Sequence, residues 1–191
     1  DADPMGAIKN ATTDQIFGGG GGQDFTLTTG QDIWTGGALD DVVRGVAGVP
    51  VGGQDQTTLN SSDVLTGGEG NDKLVVNMTG PLYNGGATIN GIETLQIGAD
   101  IAAATFNMNV NQGQYEVVGT NKVIADQITT GEVLTVQNIV PTASGPGTVT
   151  PTLSWENEAG SRAGTFAATY RQESITGTAD NQMVNLKNIN A

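Results

Sequence analysis

A nine-residue pattern of glycine and aspartate constrains this chain more than any other feature. Residues 67–75, Gly-Gly-Glu-Gly-Asn-Asp-Lys-Leu-Val, match G-G-x-G-x-D-x-U-x at every specified position, where U is apolar. Residues 36–44 match with Leu39 in place of the third glycine, and residues 19–24 match the turn portion, with Thr26 where an apolar residue is expected. Recurrence of this pattern predicts stacked turns of a parallel β-structure rather than one chance match.

Aspartates form two series that keep the phase of the pattern. The first series is Asp24, Asp41 and Asp72, and the second is Asp14, Asp32 and Asp63. The interval from Asp41 to Asp72 equals that from Asp32 to Asp63, and the interval from Asp14 to Asp32 is two nonapeptides. The interval from Asp24 to Asp41 is one residue shorter than two nonapeptides, and the glycine run 18–22 can absorb the difference. We therefore expect two rows of carboxylates on two edges of a β-roll.

The chemistry of these turns favours calcium. Glycine permits the positive φ angles of a tight turn, and calcium takes six to eight oxygen ligands from carboxylates and backbone carbonyls. The predicted calcium-binding residues are Asp14, Gly19, Gly20, Gly22, Asp24, Asp32, Gly36, Gly37, Asp41, Asp63, Gly67, Gly68, Gly70 and Asp72. Ordinary Asp-Gly turns are the alternative. Glycine pairs precede only the first series, so calcium is favoured there, and both interpretations stay open for the second.

The remaining pattern predicts an all-β chain. Residues 11–80 are expected to form the calcium-binding β-roll, with residues 46–58 as an inserted loop, because the longer aspartate intervals exceed two nonapeptides by the length of this segment. Short β-branched runs bounded by Gly, Asn or Asp follow from residue 88. They predict that the roll continues into a strand-rich, β-helical second half over residues 81–191, with a loop at residues 141–151 and no calcium at Gln182.

Composition excludes several functions. The formal net charge is −13, from 20 acidic and 7 basic residues, so the chain is not expected to bind nucleic acid. Unneutralised carboxylate rows should repel one another, which couples metal binding to folding. Without His or Cys the common nucleophilic and zinc constellations are impossible, and we expect no enzyme. A glycosidase carboxylate pair and ligand binding through exposed aromatics are the weaker alternatives.

The nonapeptides around Asp24, Asp41 and Asp72 resemble the repeats-in-toxin calcium β-roll. Together with residues 25–32 and 90–95 they are similar to bacterial surface-layer proteins and large secreted adhesins, although Leu39, Thr26 and Gln182 depart from the pattern. The resemblance implies type I export, folding in extracellular calcium, and a cell-surface location. The expected function is a self-assembling structural module of a surface layer or filament. A calcium-dependent adhesin or a carrier module of a secreted protein is the alternative, with cell-surface polysaccharide as a further candidate partner.

Two features of the sequence concern its context. The chain opens with Asp1 rather than an initiator Met, so we expect a processed or excised segment of a longer protein. No apolar run is long enough to span a bilayer as a helix, and no transmembrane segment is expected.

Overall fold

The structure is a computed structural model that describes residues 21–49, 52–84, 86–99, 101–110, 115–140, 142–143, 148–156, 164–171 and 181–187. Asp14, Gly19 and Gly20 of the predicted site lie outside these ranges. Within them the strands are β1 (Asp24–Thr26), β2 (Ile33–Thr35), β3 (Val42–Ala47), β4 (Val64–Thr66), β5 (Lys73–Met78), β6 (Leu82–Tyr83), β7 (Thr88–Asn90), β8 (Thr94–Ala99), β9 (Ala103–Asn107), β10 (Asn109–Val110), β11 (Tyr115–Val118), β12 (Lys122–Asp126), β13 (Val133–Ile139), β14 (Thr142–Ala143), β15 (Thr148–Glu156), β16 (Thr165–Tyr170) and β17 (Asn181–Lys187).

These strands form three sheets in which parallel pairing predominates. Sheet 1 has the order β1-β3-β5-β8-β12-β15, and β14 and β17 also pair with β15. Sheet 2 has the order β2-β4-β7-β11-β10, and sheet 3 has the order β6-β9-β13-β16. Only β10 with β11 and β14 with β15 pair antiparallel among the described strands. No described residue is helical, so the all-β prediction is confirmed.

Between β4 and β13 the chain visits sheets 2, 1 and 3 in a repeating order. The successive sets are β4-β5-β6, β7-β8-β9 and β11-β12-β13. We call each such set a level, and we use the same name for the two earlier turns, β1 and β2-β3. Parallel strands need a crossover connection, and here the strands of the other two sheets supply it. Equivalent residues of neighbouring levels therefore meet in register across each sheet.

The core consists of apolar columns that run across the levels. The column in sheet 1 is Phe25, Val43, Leu74, Leu95, Val123 and Leu153. Its middle members are almost completely buried, and in β5 and β8 they alternate with more exposed residues, as the two faces of a strand require. Each fully buried side chain of this size contributes about 1.5–3 kcal/mol to folding.

Asparagine side chains join the levels of sheet 3. Asn107 Nδ2 donates to Asn84 Oδ1 at 2.8 Å, and Asn138 Nδ2 donates to Asn107 Oδ1 at 2.8 Å. Asn138 has a φ of 56°, a left-handed conformation that asparagine tolerates better than most residues. These hydrogen bonds between side-chain amides keep equivalent residues of neighbouring levels in register, as the backbone hydrogen bonds of the sheets do.

Both predicted loops, 46–58 and 141–151, overlap with strands of the structure. Strand β3 continues through Ala47, and the Val46 carbonyl accepts N–H groups of Thr58 and Leu59 at 2.9 and 3.0 Å, so the two ends of segment 46–58 are held together. Residues 52–56 between these ends are exposed. Sheet 1 runs unbroken past position 80 through the pairing of β5 with β8. The predicted loop 141–151 contains β14 and the start of β15.

Deleting residues 52–56 should change the free energy of unfolding by less than about 1 kcal/mol, because loop-closure entropy changes slowly with loop length. Leu59→Ala, at a fully buried position next to the same segment, should cost about 2–5 kcal/mol. Urea unfolding of both variants measures the difference. Equal losses would mean that residues 52–56 belong to the packed body.

Candidate metal centre

One corner of the fold brings acidic side chains of successive levels together. It lies directly before β1, β3, β5 and β8, and the chain enters the last three of these strands from sheet 2. The residues at this position are Gln23, Asp41, Asp72 and Glu93, and we call them the corner row. Their alignment follows from the register of sheet 1, in which the first residues of these four strands are paired.

Each carboxylate of the corner row accepts a backbone N–H from the preceding level. Asp41 Oδ1 accepts from the N–H of Gln23 at 2.6 Å, and Asp72 Oδ1 accepts from the N–H of Asp41 at 2.8 Å. Glu93 Oε2 accepts from the N–H of Asp72 at 2.8 Å. These bonds satisfy buried backbone donors at the corner, where the sheet ladder has not yet begun.

The prediction that Asp24 belongs to the row with Asp41 and Asp72 is wrong. Asp24 is in register with Val42, and Gln23 occupies the level before Asp41. A shift of one residue moves a strand side chain to the opposite face. Asp24 is accordingly exposed and pairs with Arg44 at 3.0 Å. Gln23 precedes Asp41 by two full nonapeptides, so no slack in the glycine run is needed.

Gly36 and Gly67 are required by close stacking of the turns. A Cβ on Gly36 would lie 1.9 Å from the carbonyl oxygen of Gly67 and 2.4 Å from Asp41 Oδ2. A Cβ on Gly67 would lie 1.8 Å from the carbonyl oxygen of Gly91 and 2.3 Å from Asp72 Oδ2. At both levels a carbonyl and a carboxylate oxygen converge on the space that the missing side chain leaves.

The other glycines of the predicted site have separate roles. Gly68 and Gly70 have φ angles of 110° and 116°, which L residues rarely adopt. A Cβ on Gly22 would lie 1.7 Å from the carbonyl oxygen of Asp40, so this residue also serves close stacking. A Cβ on Gly37 would meet only the end of a flexible side chain at 3.6 Å.

Asp72 carries the one fully buried carboxylate oxygen of the corner row that lacks a partner among the described residues. Both oxygens of Asp41 accept a backbone N–H, the second from Gly37 at 2.7 Å. Asp72 is 0% exposed, and its Oδ2 has no hydrogen-bond partner among the residues that the structure describes. An unpaired buried acceptor costs about 1–3 kcal/mol, and more when it is charged.

Burial raises the pKa of Asp72. The N–H of Asp41 lowers this pKa, and the negative charges of Asp41, Glu93 and Asp40 raise it further. When the pKa of a carboxyl is higher in the folded than in the unfolded state, the protein loses stability as pH rises from the unfolded-state pKa through the folded-state pKa. Ionised Asp72 therefore lowers the free energy of unfolding at neutral pH. A nearby cation would favour the ionised form.

The second aspartate series forms hydrogen-bonded turns before sheet 2. Asp32 Oδ2 accepts from the N–H of Thr28 at 2.7 Å, and Asp63 Oδ2 accepts from the N–H of Asn60 at 2.8 Å. The N–H of Asp32 donates to Asp63 Oδ1 at 2.9 Å. Burial, with a smaller contribution from the charge of Asp32, raises the pKa of Asp63, while the N–H groups of Asn60 and Asp32 lower it. Both oxygens of Asp63 are therefore occupied by backbone donors.

The donor set at the corner row fits a hard cation in chemistry, because it consists of carboxylate and carbonyl oxygens. No group of three or more His, Cys, Asp or Glu side chains in the described ranges is placed to hold a metal ion. A calcium ion here would therefore take at most two carboxylates and complete its shell with backbone carbonyls and water. Asp72 Oδ2 and the carbonyl of Gly91, which converge at Gly67, are the oxygens best placed for this. Calcium binding stays a prediction.

Comparisons with protein-family profiles, curated proteins and solved structures found no match. Within the part of the chain that the structure describes, no helix is long and apolar enough to cross a membrane.

The two glycines of the pattern allow a matched test of the stacking. Gly67→Ala should destabilise the protein by about 1–3 kcal/mol or more, because its Cβ would overlap a backbone carbonyl that cannot rotate away. Gly37→Ala should change stability by less than about 1 kcal/mol, because neither space nor φ opposes a Cβ there. Denaturant unfolding in chelator measures both. Similar losses would contradict the stacking geometry.

Proposed function

We propose that this chain is a calcium-stabilised, non-catalytic structural module that winds as a β-solenoid and assembles with copies of itself in an extracellular surface layer or filament. The observation that carries the proposal is the corner row, in which carboxylates stack level upon level and one buried oxygen of Asp72 lacks a partner among the described residues. Such an arrangement is poorly stable without a cation.

The solenoid part of the proposal is supported by the order of the strands. Three consecutive sets of strands enter sheets 2, 1 and 3 in the same sequence, and equivalent strands pair parallel in register. A chain that winds repeatedly around one axis produces this order. Among the described residues, no strand of sheet 3 follows β1 or β3, and this supports the two-sided arrangement proposed from the nonapeptide spacing.

Calcium is supported by charge and by donor chemistry. Burial and three neighbouring carboxylates raise the pKa of Asp72, so a divalent cation would relieve several unfavourable interactions at once. Extracellular modules bind calcium with dissociation constants of about 10⁻⁴–10⁻³ M, which suits a site with few carboxylates. The proposed extracellular location follows from this calcium requirement.

Self-assembly is supported by strand β17, whose one partner among the described strands is β15. Val184 and Leu186 continue the inward positions of Leu153 and Trp155 in register, yet they are 52% and 68% exposed. An apolar edge strand whose N–H and C=O groups point outward is a template for pairing with another chain. A second copy that adds a strand here would cover both side chains.

The adhesin alternative is favoured by one patch on sheet 2. Ile33 and Val64 are paired in register and are 61% and 36% exposed, so two apolar side chains lie side by side on the surface. A foreign ligand could bind this patch, while calcium at the corner row would stabilise the fold that presents it. A carrier module of a secreted protein would need calcium at the corner row but no such apolar patch.

Calcium should stabilise the fold. At a free calcium concentration of about 100 times the dissociation constant, the free energy of unfolding should rise by about 2.7 kcal/mol relative to chelator. Asp72→Asn keeps an oxygen for the N–H of Asp41 and should lose most of this gain. Asp40→Asn, at the exposed position before Asp41, should keep most of it, because Asp40 supplies none of the oxygens proposed to bind the ion. Thermal unfolding followed by circular dichroism provides the measurement. Identical unfolding in calcium and chelator would contradict the proposal.

Calcium should also drive self-association through β17. Leu186→Glu should remain monomeric, because a charge on this edge prevents strand pairing, while Val140→Glu, at an exposed apolar residue outside the strands, should assemble like the unmodified chain. Light scattering and electron microscopy at rising calcium follow the assembly. If the unmodified chain stays strictly monomeric at saturating calcium and high protein concentration, the adhesin becomes the better explanation.

A further inference from the structure

The corner row continues one level beyond the nonapeptides. The turn from Gly67 to Asp72 is followed, at the next level, by the shorter turn from Gly91 to Glu93, which carries no glycine-aspartate pattern. Glu93 nevertheless occupies the equivalent place, directly before β8, and its Oε2 accepts the N–H of Asp72 at 2.8 Å. The longer glutamate side chain spans the distance from the shorter turn.

The unpartnered oxygen of the corner lies between these two levels. Asp72 is fully buried, and Oδ2 is its one side-chain atom without a partner among the described residues. The same oxygen and the carbonyl of Gly91, from the level of Glu93, converge at the missing side chain of Gly67, at 2.3 and 1.8 Å from the Cβ position. One level earlier the corresponding Asp41 Oδ2 is bound by the N–H of Gly37. The need for a cation is therefore greatest between Asp72 and Glu93.

We propose that Glu93 is a ligand of a divalent cation site shared with Asp72 Oδ2 and the carbonyl oxygen of Gly91. This inference rests on the proposed calcium requirement and deepens it, because it places one ion at the junction between the last nonapeptide turn and the first turn without the pattern. Because Oε2 of Glu93 accepts the N–H of Asp72, Oε1 is the oxygen that would bind the ion. Two carboxylates and a carbonyl form half of a calcium shell, and further backbone carbonyls and water supply the rest.

The competing explanation is that Glu93 serves only as a hydrogen-bond acceptor for the corner. Glu93→Gln separates the two roles, because glutamine retains an oxygen for the N–H of Asp72 and removes the charge. Glu69→Gln is the matched control, since Glu69 is an exposed acid of the neighbouring turn and the substitution changes net charge equally. Both variants are made in the full chain.

Calorimetric titration with calcium chloride gives the primary readout. Loss of a ligand carboxylate should weaken one binding event by about tenfold or more in Glu93→Gln, while Glu69→Gln should bind like the unmodified chain. In a cycle with Asp72→Asn, the double variant should lose little more than the worse single variant, because both residues serve one ion. Circular dichroism in calcium checks that each variant is folded, and Glu93→Asp, which withdraws the carboxylate by one methylene, replaces a Gln variant that fails to fold.

The outcomes separate this inference from the function on which it rests. If the unmodified chain binds no calcium, both are wrong. If it binds calcium and Glu93→Gln binds with the same stoichiometry and affinity, the calcium requirement stands and Glu93 is only an acceptor. Additive losses in the cycle would also overturn the shared site, because they would place Asp72 and Glu93 on different ions.

Discussion

The hydrogen bond from a backbone N–H to the carboxylate of the next level is the interaction on which this structure depends. It occurs from Gln23 to Asp41, from Asp41 to Asp72 and from Asp72 to Glu93, always at the entrance to sheet 1. Each bond fixes the register of one level relative to the next before the backbone hydrogen bonds of sheet 1 begin. Asp41 and Asp72 thereby become buried, and Glu93 lies close to Asp72, so a cation would relieve the repulsion between these carboxylates.

Close stacking has consequences for the residues on both sides of the corner. Glycine is needed at positions 36 and 67 because the carbonyl of the next level occupies the place of a side chain. Beyond the corner, the same spacing aligns Leu74 with Leu95 and Leu95 with Val123, so the apolar columns run across the levels in register. On sheet 3, a hydrogen bond between the side-chain amides of Asn138 and Asn107 aligns neighbouring levels in the same way. Backbone spacing thus sets the positions of polar and apolar columns alike.

Much of this arrangement could be predicted from local pattern. The glycine-aspartate turns and the β-branched runs from residue 88 onward predict an all-β chain, and β11 (Tyr115–Val118) lies in this strand-rich part. The predicted membership of Asp24 was wrong because an aspartate was expected at that place, whereas the interval of two nonapeptides before Asp41 ends at Gln23, in agreement with the strand pairing. Glu93 was missed because no glycine pair marks its turn. The available signal was an acidic residue directly before a strand, as at Asp41 and Asp72.

Amide hydrogen exchange at the corner row reports on the stacked bonds themselves, because the amide protons of Asp41 and Asp72 are their donors. We expect strong protection of both amides in saturating calcium. In chelator, protection of both should fall before that of the amide of Asp32, whose acceptor Asp63 has both oxygens occupied by backbone donors. Equal protection of the Asp41 and Asp72 amides with and without calcium would contradict the claim that a cation completes this corner.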